Sequence, residues 1–149
     1  MSDKDSIKRA VSADSHILAE LAMRMWSGHT LAELEEKFNE LVRGENAACF
    51  IKYVGGQPVG FAQCGLRFDY VEGTESSPVG YLEGVYILSE FRYKGIAAEL
   101  LKECEAWARE KSCTEFASDC ELDNDLSLKF HLAAGFEEAN RIICFKKRL

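Results

Sequence analysis

The stretch 81–111 constrains the fold most, because it predicts a strand, a tight turn and a helix in immediate succession. Apart from Glu83 and Gly84, residues 81–88 are aliphatic or aromatic, and an apolar stripe at helical spacing follows Gly95. The first amides of a helix lack partners within it, and the helix dipole there favours negative charge. Gly95 lets the backbone approach a ligand closely, while Arg92 and Lys94 add positive charge. The turn therefore predicts an anion site; the alternative is a plain connector with two solvated cations.

The rest of the sequence predicts a mixed α/β fold built on one sheet, in a single domain covering residues 1–149. Caps and apolar stripes indicate the helices, and runs of β-branched and aromatic residues indicate the strands. The predicted strands cover 7–11, 47–54, 58–70, 81–88, 115–120 and a hairpin in the tail 136–149. The predicted helices run from a cap at Ser12 or Asp14 to about Trp26, from a capping box at Thr30 to near Gly44, from Gly95 to about Lys111, and over 125–134.

Composition and charge exclude several classes of protein. The formal net charge is -7, and the basic run at 146–148 is too short for a nucleic-acid surface. The polar N terminus has no signal-peptide core, and no stretch reaches the roughly 20 apolar residues of a membrane span. We therefore expect a cytoplasmic protein without nucleic-acid or membrane partners. The acidic balance either fits a cationic partner or serves only solubility.

Six cysteines are scattered along the chain, without a Cys-x-x-Cys pair and without a histidine at zinc-binding spacing. We expect most of them to be reduced and buried, where they pack as small apolar side chains. The sequence therefore predicts no metal site, and no motif frames a catalytic cysteine.

Two spaced motifs resemble the GNAT superfamily of acetyl-CoA-dependent N-acetyltransferases. The run Arg-x-x-Gly-x-Ala at 92–97 resembles the family's pyrophosphate motif. Asn124 lies eleven residues before a Gly-Phe pair at 135–136, as in the family's second motif. The element order also agrees over nearly the whole chain. The resemblance implies a GNAT fold of the α/β (α+β) kind, with one mixed, mostly antiparallel sheet, splayed central strands and about four flanking helices.

The resemblance also implies where acetyl-CoA, the expected cosubstrate, would bind. Backbone amides of the turn would hold its pyrophosphate, from Arg92, Tyr93, Lys94, Gly95, Ile96 and Ala97. The strand edge at Val85, Tyr86 and Ile87 would pair with the pantetheine arm as an added strand does. Asn124 would lie beside the pantetheine or its thiol end. The thioester would lie in the gap towards the strand predicted over 115–120.

Acetyl transfer to an amine needs a proton acceptor, an oxyanion donor and a proton donor for the leaving thiolate. Glu83 is the predicted base, because strict alternation puts it on one strand face with Tyr81 and Val85. The backbone amide near Val85 is the predicted oxyanion donor. His131 stands where many family members carry a tyrosine acid, so it is the candidate proton donor. The alternatives are a solvent-facing strand glutamate and a helix histidine that bonds to the backbone or faces solvent.

The expected acceptor is a polycationic amine. Residues 68–86 and 113–119, together with the region around Trp26, resemble one branch of the aminoglycoside 6'-N-acetyltransferases. This resemblance implies acetyl transfer to the 6'-amino group of an aminoglycoside antibiotic. It also implies a homodimer, which the apolar tail residues Ile142, Ile143 and Phe145 permit. Acidic and aromatic side chains would form the substrate wall: Trp26, Tyr70, Glu72, Glu75, Glu83 and Asp119.

Two other functions fit the same motifs. The acceptor could be a polyamine, an amino acid or a protein N terminus. The chain could also be an acyl-CoA-binding sensor that keeps the cofactor site but has lost catalysis. Thiol release from acetyl-CoA with a panel of amines separates these possibilities, because the three predict turnover with aminoglycosides, turnover with other amines, and binding without turnover.

Overall fold

The computed structural model describes residues 5–149, which form one five-stranded sheet and four α-helices. In order across the sheet, the strands are β1 (Ser6–Arg9), β2 (Ala47–Val54), β3 (Gln57–Arg67), β4 (Val79–Ile87) and β5 (Phe116–Ser118). Neighbouring strands are antiparallel, except that β4 and β5 are parallel. The helices are α1 (Ser15–Met23), α2 (Leu31–Arg43), α3 (Ile96–Glu110) and α4 (Asp125–Ala133). The expected mixed, mostly antiparallel sheet with about four helices is confirmed.

Local sequence signals set two of the helix starts. Thr30 and Glu33 form the predicted capping box: Thr30 Oγ1 accepts from the Glu33 amide at 3.1 Å, and the Glu33 carboxylate accepts from the Thr30 amide at 3.3 Å. Asn124 caps α4 in a similar way, since its Oδ1 accepts from the Ser127 amide at 3.1 Å. Each cap satisfies amides that have no partner inside the helix, so the chain turns into a helix at these points.

The core lies where the first three helices pack against β2, β3 and β4. Leu18 of α1, Phe38 of α2, Phe61 of β3 and Leu100 of α3 are each at most 1% exposed. Phe38 and Phe61 pack edge to face with ring centroids 5.8 Å apart, and Trp26 contacts both rings. The buried free thiols, as expected for most of the cysteines, are Cys49, Cys64, Cys104 and Cys113. This packing fixes the position of β4, the strand that carries the candidate site.

Strands β4 and β5 pair only where they begin. Residues 80–82 of β4 pair with residues 116–118, which are the whole of β5. Gly80 permits this approach, because a Cβ at that position would come within 2.5 Å of the Phe116 ring. Within the described residues, no strand pairs with the β5 side of β4 over 83–87. The two strands therefore part at this point and leave an open edge on β4.

The C-terminal tail departs from the sequence prediction. Residues 137–149 contain no strand, so the hairpin predicted over 136–149 is wrong. A hairpin needs two apolar strands joined by a turn, whereas this tail has one apolar run, at 142–145, followed directly by basic residues. Its apolar side chains lie in solvent, with Ile143 80% and Phe145 90% exposed. The tail therefore has no regular secondary structure, and its apolar residues have no cover in the single chain.

Candidate functional site

The turn between β4 and α3 presents backbone amides at a helix start. Gly95 precedes α3 with a φ of 81°, and Tyr93 also has a positive φ of 63°. The Glu99 amide donates to the Gly95 carbonyl at 3.1 Å, so the amides of residues 96–98 precede the first helical hydrogen bond. Lys94 is exposed on the same turn. These amides and the helix dipole form the kind of site that holds an anion.

Arg92 fastens this turn to the end of β4. Its Nε donates to the Ile87 carbonyl at 2.9 Å, and its guanidinium lies 5.8 Å from the centre of the Tyr86 ring. The side chain therefore folds back onto the strand, although the residue remains exposed. The consequence is a positive charge held next to the open edge of β4, beside the amides of the turn.

The open edge of β4 faces the gap with its own main-chain groups. The Leu88 amide donates to the Val59 carbonyl of β3 at 2.8 Å, so the main-chain groups of Leu88 point towards β3. The direction of the main-chain N–H and C=O groups alternates along a strand. Those of Tyr86 therefore point to β3, and those of Val85 and Ile87 point to the open side of β4. Because the Ile87 carbonyl accepts from Arg92, the Ile87 amide and both main-chain groups of Val85 are the ones that face the gap.

Glu83 occupies a β-bulge where β4 and β5 part. Residues 63–64 of β3 pair with Gly84 and Leu82, so Glu83 has no partner on β3. A bulge interrupts the alternation of side chains, so the argument that put Glu83 and Val85 on one face does not extend across it. The Glu83 side chain is 31% exposed. The bulge therefore presents this carboxylate beside the start of the open edge.

Arg67, the last residue of β3, holds the Glu83 carboxylate. Its Nε and one Nη donate to Glu83 Oε1 at 3.0 and 2.8 Å, and the same Nη donates to Oε2 at 3.0 Å. Its guanidinium carbon also lies 3.9 Å from the centre of the Tyr81 ring. The hydrogen bonds to Glu83 raise the pKa of Arg67. The predicted base is thus engaged on both oxygens by an internal cation.

Tyr81 connects Asp119 to the Arg67–Glu83 pair. Its hydroxyl donates to the Asp119 carboxylate, and the residue is only 8% exposed. Burial, followed by the hydrogen bond to Asp119, raises the pKa of Tyr81, so the phenol remains a neutral donor. We call the set Arg67, Tyr81, Glu83 and Asp119 the acidic cluster, since it holds two carboxylates and one cation.

His131 of α4 reaches the strand gap through Ser118. His131 Nδ1 lies 2.7 Å from the Ser127 carbonyl, which can only accept, so Nδ1 carries a proton. In the neutral ring Nε2 is then the acceptor, and the Ser118 hydroxyl donates to it at 2.7 Å. Ser118 Oγ also lies 3.4 Å from the Leu82 carbonyl, at the last paired position of β4 and β5. The histidine therefore contacts more than its own helix backbone.

Trp26 packs against the bulge at Gly84. A Cβ on Gly84 would be 3.7 Å from the Trp26 ring, so the indole lies against the strand next to Glu83. Stacking on Phe38, with ring centroids 6.1 Å apart, holds the indole in place. The structure thus brings Trp26, Glu83 and Asp119 together around the point where β4 and β5 part.

The loop between β3 and β4 carries the other predicted wall residues. Tyr70 is 75% exposed, and Glu72 and Glu75 are exposed as well. The Glu115 carboxylate fastens this loop to the start of β5, because it accepts from the Glu75 amide at 2.8 Å. In residues 5–149, no side-chain hydrogen bond or ion pair joins Tyr70, Glu72 or Glu75 to the acidic cluster. These three residues remain candidates by position alone.

Sequence reasoning missed two residues of this site. Arg67 was not singled out, because its contact with Glu83 depends on the β3–β4 register and on the bulge. Ser118 was not singled out either, because its partner His131 comes from a different element. Asn124 was singled out, and its Oδ1 is engaged in capping α4. Its side-chain NH2 group has no partner among the hydrogen bonds of residues 5–149 and can donate to a ligand.

The geometry first defines a class of protein. A backbone anion site at a helix start adjoins an open strand edge, and a carboxylate lies where that edge begins. This arrangement suits an extended ligand with a diphosphate at one end and a reactive group at the other, as in acetyl-CoA. The class is an acetyl-CoA-dependent N-acetyltransferase.

Comparison with known proteins gives the family. The model of the Acetyltransferase (GNAT) family matches residues 15–136, and the chain belongs to this family, as the sequence motifs predict. Aminoglycoside N(6')-acetyltransferase type 1 of Acinetobacter haemolyticus is 38% identical over 144 residues, or 97% of this chain and 99% of that protein.

Two solved structures of aminoglycoside N-acetyltransferase AAC(6')-Iy also share the fold. The structure with CoA has a TM-score of 0.94 at 34% identity, and covers 100% of this chain and 98% of that one. The structure with the bisubstrate analogue CoA-S-monomethyl-acetylneamine has a TM-score of 0.92 at 35% identity, and covers 97% and 99%. The fold predicted from the sequence is therefore confirmed over nearly its full length.

Proposed function

We propose that this chain, acting as one domain, transfers the acetyl group of acetyl-CoA to the 6'-amino group of aminoglycoside antibiotics. The observation that carries the proposal is the Glu83 carboxylate, presented by a bulge beside the open edge of β4. Relatives named as aminoglycoside N(6')-acetyltransferases support this acceptor. Acetylation removes a positive charge from the drug, which is consistent with a role in antibiotic resistance.

The acetyl-CoA side would use main-chain groups. Amides of residues 92–97 would hold the pyrophosphate, with the α3 dipole and the charge of Arg92 behind them. The gap-facing groups of Val85 and Ile87 would pair with the pantetheine arm as an added strand. The Asn124 side-chain NH2 group would donate to the thiol end, while its carbonyl oxygen caps α4.

The chemistry would use three groups around the strand gap. Glu83 would take a proton from the acceptor ammonium, directly or through a water molecule, so that the amine can attack the thioester carbon. The Val85 amide would donate to the resulting oxyanion. As the carbon–sulfur bond breaks, the electron pair goes to sulfur, and protonated His131 would supply a proton through the Ser118 hydroxyl. The attacking nitrogen loses its second proton to solvent as the amide forms. Glu83 then releases its proton to solvent, and solvent returns one to His131.

The acceptor wall would combine charge with one aromatic surface. Asp119 lies in the acidic cluster, and Trp26 covers the bulge next to Glu83. Tyr70, Glu72 and Glu75 would close over the acceptor from the exposed loop between β3 and β4. Several carboxylates around one cleft would steer and hold a molecule that carries several ammonium groups.

Product analysis tests this function. Purified protein is incubated with acetyl-CoA and tobramycin, thiol release is followed, and the product is examined by tandem mass spectrometry. We expect one acetyl group on the 6'-nitrogen. Turnover with spermidine or a peptide N terminus, but not with tobramycin, would favour a different acceptor. Binding of CoA without turnover of any amine would favour an acyl-CoA sensor.

We also infer that the chain is a homodimer in which each tail covers the other copy. In residues 5–149, helix α4 contains no buried residue, and Leu126 and Leu132 are 66% and 52% exposed. Strand β5 forms one of the two edges of the sheet and is only three residues long. The tail carries a run of apolar side chains, so it can add a strand to this edge and cover α4. A second copy supplies such a tail symmetrically.

Analytical ultracentrifugation tests the dimer. Full-length protein should sediment at twice the monomer mass, and Phe145→Glu should shift it towards monomer because it places a charge in the covered surface. Tyr70→Glu is a matched control, since Tyr70 is an exposed aromatic residue outside the tail. A monomeric wild type, or a Phe145→Glu variant that stays dimeric, would contradict the tail exchange.

We place the protein in the cytoplasm, where acetyl-CoA is available. All six cysteines are free thiols in the structure, which is typical of a reducing compartment. Among residues 5–149, no helix has the length and apolarity needed to cross a membrane. Fractionation of cells that express the chain would check this placement, and recovery with the membrane pellet would contradict it.

A further inference from the structure

Arg67 is a cation in the middle of a site that otherwise suits cationic ligands. Its Cα lies opposite Val79 of β4, and its side chain runs along the strand across the Tyr81 ring to Glu83. There it donates to both carboxylate oxygens with three hydrogen bonds of 2.8 to 3.0 Å. The position next to the predicted base is thus filled by a group of the chain itself.

We propose that Arg67 is an internal counter-ion of Glu83, and that the ammonium group of the acceptor displaces it. The inference rests on the proposed function, in which Glu83 must contact the reacting amine. Guanidinium and ammonium groups both satisfy a carboxylate with charged N–H donors, so each can replace the other there. The guanidinium therefore marks where the acceptor nitrogen binds.

The environment of Arg67 permits this displacement. Its side chain is 45% exposed, so it can swing into solvent without opening the core. The ion pair with Glu83 is partly exposed, and such pairs contribute little to stability, so an incoming cation can compete with it. With the guanidinium away, Glu83 is left without its internal cation, Asp119 keeps only its neutral Tyr81 partner, and the acceptor supplies the missing positive charge.

The first test is acceptor binding in the presence of CoA, which cannot react. Calorimetry with tobramycin is compared for the wild type, Arg67→Gln and Arg109→Gln. Arg109 is an exposed residue on α3, so its substitution removes the same charge outside the cluster. Removal of the internal competitor should tighten tobramycin binding about two- to fivefold beyond the control, the size of an exposed ion pair. Arg67→Lys keeps the charge but cannot donate to both carboxylate oxygens as the planar guanidinium does. Its affinity for tobramycin should therefore lie between those of the wild type and Arg67→Gln.

A double-mutant comparison tests the mechanism. In a Glu83→Gln background the counter-ion has no carboxylate to occupy, so Arg67→Gln should no longer tighten tobramycin binding relative to Arg109→Gln. Weaker or unchanged binding in Arg67→Gln, especially with a lower kcat, would show that Arg67 holds Glu83 in position or contacts the acceptor, and would overturn the inference. Absence of tobramycin turnover by the wild type would instead overturn the proposed function, so the two failures can be told apart.

Discussion

The two sides of the cleft are built by different means. On the proposed acetyl-CoA side, Val85, Ile87 and residues 92–97 offer main-chain groups, and Arg92 bonds to the main chain as well. On the proposed acceptor side, the acidic cluster offers polar and charged side chains that bond to one another across β3, β4 and the residue after β5. The first side depends on backbone conformation, and the second depends on the register of three strands.

This difference has a consequence for specificity. A backbone site accepts many side chains as long as the turn keeps its shape, so one cofactor can be shared by a whole family. A side-chain cluster changes with each substitution, so the acceptor can differ from one member to the next. Variants on the acceptor side should therefore alter acceptor kinetics while acetyl-CoA binding stays constant, and the reverse should hold for the turn.

Glu83→Gln should give the largest contrast between the two sides. It keeps the shape of the side chain but removes the proton acceptor, so kcat/KM for tobramycin should fall by about 10²-fold or more. CoA affinity, measured by calorimetry, should stay the same because no charge of the turn changes. Full turnover in this variant would remove Glu83 from the chemistry, whereas loss of CoA binding would show that the two sides are coupled.

His131→Ala and Ser118→Ala test whether these residues form one path to the thiolate. Each should lower kcat about tenfold, less than a typical acid catalyst because a thiolate leaves readily. The double variant should be no slower than either single one, since the same proton path is lost. Ser118→Thr keeps the hydroxyl and is the matched control. An unaltered pH–rate profile in His131→Ala, or multiplicative losses in the double variant, would contradict the shared path.

Gly95→Ala probes the acetyl-CoA side alone. A φ of 81° strains any residue with a Cβ by about 1–2 kcal/mol, and relief of that strain would deform the turn. CoA should bind about fivefold more weakly, while acceptor binding changes little. Gly56→Ala, at a φ of 82° in the turn between β2 and β3, introduces similar strain elsewhere and should leave CoA affinity intact. Equal effects of both variants on CoA binding would point to general destabilisation.

Tyr81→Phe should have the smallest effect. It removes the hydroxyl that donates to Asp119, so the free energy of unfolding should fall by about 1 kcal/mol in urea titrations. The KM for tobramycin should rise about twofold because Asp119 loses the bond that orients it. A larger change in CoA affinity than in the KM for tobramycin would instead assign Tyr81 to the acetyl-CoA side of the cleft.

Elements with local signals were predicted closely. The strand expected over 47–54 is β2, Ala47–Val54, and the capping box at Thr30 starts α2 as expected. These predictions hold because a cap, a turn glycine or an apolar period acts over a few residues. Strand β3 ends at Arg67, three residues before the predicted end, because the residues that follow pair with no strand.

Two features that depend on strand pairing were not predicted correctly. The bulge at Glu83 has no sequence mark, although it decides how that carboxylate is presented. The tail hairpin was predicted from apolar residues alone, but a strand also needs a partner edge, which the single chain does not give to residues 142–145. In both cases the missing information is which strand lies opposite.

The amino-acid sequence by itself determined the order of the helices and of the five strands before the tail, and the glycine turn at residues 92–97, because caps, glycines and periodicity act locally. Only the tertiary structure decided that Arg67 bonds to Glu83 and that His131 meets Ser118, residues 16 and 13 positions apart in the chain. Such pairs depend on strand register and helix placement, and these are fixed by packing of the whole domain.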